Sequence, residues 1–140
     1  MNKNGEIIIV EDDVDDQDLL RQVIREIGVP NQVTILSDGA EAYDYFNNKN
    51  KDPFLIISDV NMPRMNGLEL RDMMQQQGEV RLRTIPFIFM TTGTTETTVA
   101  TYAPLVQGFF TKPTNYLQLK ETVNAILGYW TKTTRPKLAM

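Results

Sequence analysis

A doubly wound α/β fold with five parallel strands, built as (βα)5, is predicted by three observations. Short apolar runs recur at Ile7–Val10, Phe54–Ser58 and Pro86–Met90. None of them alternates apolar with polar residues, which marks strands buried on both faces. Between the runs, apolar residues fall at helical spacing, and alternating strands and helices imply a parallel sheet with right-handed crossovers.

Ile7–Val10 is β-branched throughout and stops at Glu11-Asp12-Asp13. Leu19, Leu20, Val23, Ile24 and Ile27 then form one helical face, which Gly28 and Pro30 end. Gln32–Leu36 is the second strand. Ser37-Asp38-Gly39 leads into a short helix carrying Ala42, Tyr43 and Phe46, followed by the polar loop Asn47–Asp52. Leu55–Ser58 is the third strand. Leu68, Leu70, Met73 and Met74 suit a third helix that frays at Gln75-Gln76-Gln77-Gly78. Pro86–Met90 is the fourth strand. The stretch Thr94–Tyr102 is a poor helix, since Thr94, Thr95, Thr97, Thr98 and Thr101 each cost about 0.5 kcal/mol relative to alanine, and Pro104 ends it. Such a helix is marginal and easily repositioned. Gly108–Thr111 is a short fifth strand. The last helix begins after Pro113 and buries Leu119, Val123, Ile126 and Leu127. From Gly128 onward the chain reads as a tail: Tyr129-Trp130 packs back and Lys132–Met140 is loose.

Composition narrows the function. At 140 residues the chain makes one domain. Its 14 basic and 18 acidic residues give a net charge of −4, which argues against a direct nucleic-acid surface. Cysteine and histidine are both absent, so disulfides, thiol nucleophiles, cysteine-metal sites, His-based triads and His-zinc sites are excluded. The apolar run at Ile7–Val10 is too short for a signal peptide or membrane insertion, so a cytoplasmic location is expected.

The chemistry gathers where the strands end. Asp59 closes the third strand and is followed by a turn through Pro63 and Gly67. Open α/β sheets place their sites at such carboxyl ends. Glu11, Asp12 and Asp13 follow the first strand, Thr91 or Thr92 the fourth, and Lys112 the fifth. A strand order of 2-1-3-4-5 brings these groups into one pocket. Carboxylates there repel by about 4 kcal/mol per pair at ~4 Å with an effective dielectric near ~20. A hard divalent cation removes that conflict, and with oxygen ligands only, magnesium fits better than zinc or copper. Acids, a cation, an ammonium and a hydroxyl around one Asp make a phosphoryl-transfer site with Asp59 as nucleophile.

On these residues the chain resembles the receiver domain of two-component response regulators, the CheY-like family. The resemblance rests on Ile-Val-Glu11-Asp12-Asp13, Ser-Asp59-Val-Asn61-Met-Pro63-Arg-Met-Asn-Gly67, Phe-Met-Thr91-Thr92 and Phe-Phe-Thr-Lys112-Pro113, taken together and in order. It implies a flavodoxin-like three-layer sandwich over residues 5–128, with 129–140 a C-terminal tail and no output domain. It implies that Asp59 is the phosphoacceptor and that Mg2+, for which Mn2+ can substitute, is the cofactor. Asp12 would ligate the metal directly, with Asp59 and the Asn61 backbone carbonyl, while Glu11 holds a metal-bound water. Thr91 would bind the phosphoryl group and Lys112 would pair with it, across a cis Lys112–Pro113 bond. Thr91 and Phe109 would form the switch, although Phe109 has no hydroxyl where the family often carries tyrosine. Expected partners are a sensor histidine kinase or histidine phosphotransfer protein, a downstream effector protein, and for the output face a second copy of this chain. That face comprises the fourth predicted helix, the fifth strand and the last helix.

Plainer readings exist for each residue. Glu11, Asp12 and Asp13 suit a helix N-terminus, Asp59 suits an Asx turn, and Phe109 suits a core. Met62, Met65, Met73, Met74 and Met90 are packing residues, and Arg64 and Arg71 are solvated charges. Among rival functions, a dehalogenase-type phosphohydrolase wants a second acid where Asn61 stands. A phosphate-independent interaction module would not need the complete acceptor set.

Overall fold

Short, dry strands set the architecture. In β1 (Ile7–Val10) all four side chains are fully buried, and the strand pairs in parallel with β2 (Val33–Leu36) on one side and β3 (Leu55–Ser58) on the other. Burying each such aliphatic side chain contributes about 1.5–3 kcal/mol. The computed structural model describes residues 3–47, 52–60, 62, 64–77, 80–91 and 107–132, with 77, 80, 81 and 91 by backbone alone. The expectations placed on Asn61, Pro63, Thr92, the threonine-rich stretch 94–102, Pro104 and residues 133–140 lie outside the described residues.

β4 (Phe87–Thr91) and β5 (Gly108–Thr111) complete a parallel sheet in the expected order β2-β1-β3-β4-β5. The register sets Val10 opposite both Leu36 and Ser58, Ser58 opposite Phe89, and Thr91 opposite Thr111. The carboxyl ends of the strands are therefore nearly level.

Strand alternation divides the core in two. Ile7, Ile9, Leu55, Ile57, Ile88 and Met90 face α1 (Val14–Ile27) and α5 (Tyr116–Lys132). Ile8, Val10, Ile56, Phe87 and Phe89 face α2 (Gly39–Phe46), α3 (Gly67–Gln77) and the single turn α4 (Val80–Arg83). The result is a three-layer sandwich.

Local chemistry explains the helix ends. Asp13 caps α1 by accepting the Asp16 N–H, and Gly28 closes it at φ 86° with its N–H on the Ile24 carbonyl. Asp38 caps α2 through the Glu41 N–H, and Asn115 caps α5 through the Gln118 N–H.

Three details depart from the sequence expectations. The turn α4 carries no periodic signal; it forms because Leu82 is drawn into the core. The last helix does not end at Gly128 but continues through Lys132. Ile126, Leu127 and Trp130 pack on the first core cluster, and that outweighs the roughly 1 kcal/mol cost of a helical glycine. Arg71 is no solvated charge. It is fully buried, with its guanidinium 5.2 Å from the centroid of the Phe87 ring, and burial lowers its pKa to about 10. Its long stem packs like an apolar side chain while the head rests on an aromatic face. Among the described residues no helix is long and apolar enough to cross a membrane.

Candidate functional site

β1 and β3 are neighbours, and their register carries Glu11 and Asp59 out of the sheet side by side. The backbone continues that alignment: Glu11 N–H donates to the Leu36 carbonyl at 3.0 Å and Asp59 N–H to the Val10 carbonyl at 2.9 Å. Asp12 follows at the start of the turn into α1. One oxygen from each of Glu11, Asp12 and Asp59 lies within 4.8 Å of the other two. The sequence expectation that these three acids meet is what the geometry shows.

Asp59 is well anchored. Val60 N–H donates to its Oδ1 at 2.7 Å, and the Ser58 hydroxyl donates to its backbone carbonyl at 2.7 Å. The Gly67 N–H closes the following loop onto the Val60 carbonyl at 2.9 Å. A β-carbon at Gly67 would lie 2.4 Å from the Asp59 carbonyl oxygen, so only glycine lets the loop return this closely.

Lys112, one residue beyond β5, reaches across β4 into the pocket. Its Nζ lies 2.6 Å from Glu11 Oε1, 2.9 Å from Asp16 Oδ2 and 3.8 Å from Asp59 Oδ2. Burial works to lower the lysine pKa, but hydrogen bonds to Glu11 and Asp16 and the surrounding negative charge hold it above the ordinary value. Glu11 is only 2% exposed, and burial pushes its carboxyl up to about 7; Lys112 opposes that rise and the nearby Asp59 charge adds to it. Its Oε2 accepts the Asp12 N–H at 3.0 Å.

The Lys112–Pro113 bond, expected to be cis, is trans: no cis peptide occurs among the described residues. The trans form of an X–Pro bond is favoured by about 0.5–1 kcal/mol, and the long lysine side chain reaches the acids from it. Thr91 is placed by its backbone beside Thr111, one residue from Lys112. Phe109, half-buried on β5, sits edge-to-face on Phe89 with centroids 5.9 Å apart and belongs to the second core cluster.

Sequence reasoning missed two contributors. Asp16 stands on the third residue of α1, and helical side chains lean back toward the N-terminus, which brings its carboxylate over the pocket. The spacing Asp13-x-x-Asp16, a capping-box pattern, was the available signal. Arg64 adopts φ 64° and donates to Asp38 Oδ2 from Nε at 2.8 Å and Nη2 at 2.5 Å. Burial alone would raise the Asp38 pKa, but the Glu41 N–H and Arg64 hold it below the ordinary value. Gly39 N–H also donates to the Met65 carbonyl at 3.0 Å, so this pair pins the loop after Asp59 to the start of α2. Neither contact joins residues close in sequence.

The donor set fits a hard cation. Glu11, Asp12 and Asp59 bring three carboxylates against the one ammonium of Lys112, all ligands are oxygen, and the pocket opens to solvent at Asp12. A divalent ion would offset the surplus of negative charge.

Comparison with known proteins agrees with this geometry. The family described as response regulator receiver domain matches residues 7–124. A chemotaxis protein CheY homolog of Campylobacter jejuni is 34% identical, over 82% of this chain and 89% of its own length. Among solved structures, the phosphorylated cyanobacterial phytochrome response regulator RcpA superposes with a TM-score of 0.84 at 28% identity, covering 96% of this chain and 99% of that one. The Mn2+-bound form of response regulator Rcp1 gives 0.82, also at 28% identity, covering 95% and 99%.

Proposed function

The chain belongs to the response regulator receiver family, and from that premise we propose that Asp59 accepts a phosphoryl group from a phosphohistidine donor in a magnesium-dependent reaction. Receiver domains are generally signalling switches of two-component systems and not classical enzymes. One observation carries the reading: the Asp59 carboxylate shares a cleft with the Glu11 and Asp12 carboxylates and the Lys112 ammonium. In the step, an Asp59 carboxylate oxygen forms a bond to phosphorus while the P–N bond of the donor breaks, and the electron pair leaves with the imidazole nitrogen. The donor histidine belongs to a sensor kinase or phosphotransfer protein, since this chain has none.

Asp12 and Asp59, with the Asn61 carbonyl, would hold the cation, and Glu11 would orient one of its waters. When bound, the cation supplies charge neutralisation for the phosphoryl oxygens. That response regulator Rcp1 has a Mn2+-bound form supports the binding of a divalent ion by this chain. Lys112 would take a phosphoryl oxygen, and Thr91 would take another. Phe109 would follow Thr91, altering the face formed by β5, α5 and the threonine-rich segment between β4 and β5. An effector protein, or a second copy of the chain, would read that face. The receiver unit corresponds to residues 5–128, with the end of α5 projecting beyond it. Any activity without a kinase would be metal-dependent self-phosphorylation from small phosphodonors and autodephosphorylation.

The test is intact-mass measurement after incubation with acetyl phosphate and Mg2+. The wild type should gain one phosphoryl group and Asp59→Asn none. An unmodified wild type, or equal gain in both proteins, overturns the assignment.

A further inference from the structure

We infer that Asp16 is a positioning residue which holds part of the Lys112 ammonium and thereby sets how tightly the pocket grips a phosphoryl group on Asp59; the inference rests on the function proposed above. An ammonium has three N–H donors. In this pocket one is directed to Glu11 Oε1 at 2.6 Å and one to Asp16 Oδ2 at 2.9 Å, while Asp59 Oδ2 lies at 3.8 Å, beyond hydrogen-bond reach. Lys112 is therefore oriented by two acids that are not the acceptor.

The two acids are held differently. Glu11 is buried and keeps backbone N–H groups on its second oxygen. The Asp16 side chain is about a third exposed, and Lys112 is its carboxylate's hydrogen-bond donor among the described residues. In a capping box the third helical residue turns back to the N-cap N–H. Here the N–H of the cap residue, Asp13, points to Glu11 Oε2 instead, which leaves the Asp16 carboxylate to Lys112. Of the two pairs, Asp16–Lys112 is the one that can yield when the ammonium turns to a new anion. Its negative charge also opposes that anion through the same lysine. Asp16 thus acts as a counterweight: it keeps Lys112 placed in the resting state and weakens its hold in the phosphorylated one.

Beryllium fluoride with Mg2+, a stable stand-in for a phosphoryl group on Asp, provides an equilibrium probe, followed by 19F NMR on the full chain. Asp16→Asn retains an oxygen acceptor for Lys112 and removes the charge. Its beryllium fluoride dissociation constant should fall about fivefold relative to wild type. In a Lys112→Met background the same substitution should change affinity by less than about twofold, because Asp16 acts on the anion through the Lys112 ammonium. Asp15→Asn removes a charge from the same helical turn without touching Lys112 and should likewise stay within about twofold. Asp16→Ser serves as a second neutral variant should the first fold poorly. No tightening in Asp16→Asn and Asp16→Ser, equal tightening in Asp15→Asn, or equal tightening without Lys112 overturns the inference. A wild type that neither binds beryllium fluoride nor gains a phosphoryl group overturns the proposed function itself, and this inference with it.

Discussion

Gly67→Ala would add one methyl group at the first position of α3, where helix propensity alone favours alanine over glycine by about 1 kcal/mol. The structure reverses that sign. The new carbon would stand 2.4 Å from the Asp59 carbonyl oxygen, 2.9 Å from Phe89 Cε1 and 3.2 Å from Ser58 Oγ. An ordinary contact begins near 3.4 Å, so backbone on one side of the loop must retreat by about 1 Å. The oxygen in the way also accepts the Ser58 hydroxyl, and the Gly67 N–H is tied to Val60, so neither partner moves alone. Overpacking of this kind costs about 3 kcal/mol, the upper end of the usual range, because the obstacle is backbone. In a domain of this size that lowers Tm by roughly 10 °C in a calorimetric melt. Gly128→Ala is the matched control. It is also helical, but nothing lies within 4 Å of its added carbon, so Tm should rise by about 2–3 °C. Because the clash falls on the residue proposed as phosphoacceptor, Gly67→Ala should also weaken Mg2+ binding, measured by calorimetric titration, whereas Gly128→Ala should not. A Gly67→Ala melt within about 2 °C of wild type would refute the packing argument.

In the metal-free protein the Glu11 carboxyl should titrate near 7 in a 13C NMR experiment, against an ordinary 4.5. The folded state then binds the extra proton between those values, so the stability contributed by this group is full below about 4.5 and is lost as pH rises through about 7. Mg2+ binding must expel that proton and should weaken as pH falls below about 7; a Glu11 midpoint near 4.5 would contradict both statements. Arg71→Ala should cost about 3 kcal/mol in urea unfolding, since it empties a fully buried volume over Phe87. Arg71→Met, which refills most of that volume, should cost clearly less, and equal losses would show that charge and not packing fixes this residue.

Most of the fold is legible in the chain because parallel sheets bury both faces of their strands. Ile7–Val10, Leu55–Ser58 and Gly108–Thr111 coincide with the observed strands, Gln32–Leu36 begins one residue early, and Pro86–Met90 is displaced by one residue at both ends. Gly28 was readable as a stop because a left-handed cap has few other solutions. Where competing preferences are settled by distant packing, reading along the chain fails. Gly128 reads as an end, but Trp130 beyond it packs on the core; Arg71 reads as a solvated charge, but its guanidinium lies over the Phe87 ring.

The same division holds at the site. Residue type and order alone determined that Glu11, Asp12, Asp59 and Lys112 converge, because a strand's end and a doubly wound order leave few other places for them. Three-dimensional packing alone decided which two acids hold the lysine, that Lys112–Pro113 is trans, and that Asp38 and Arg64 tie two loops together. Those outcomes depend on distances between side chains far apart in the chain, fixed only once helices and sheet are packed; the existence of each buried strand follows from the apolar run it carries.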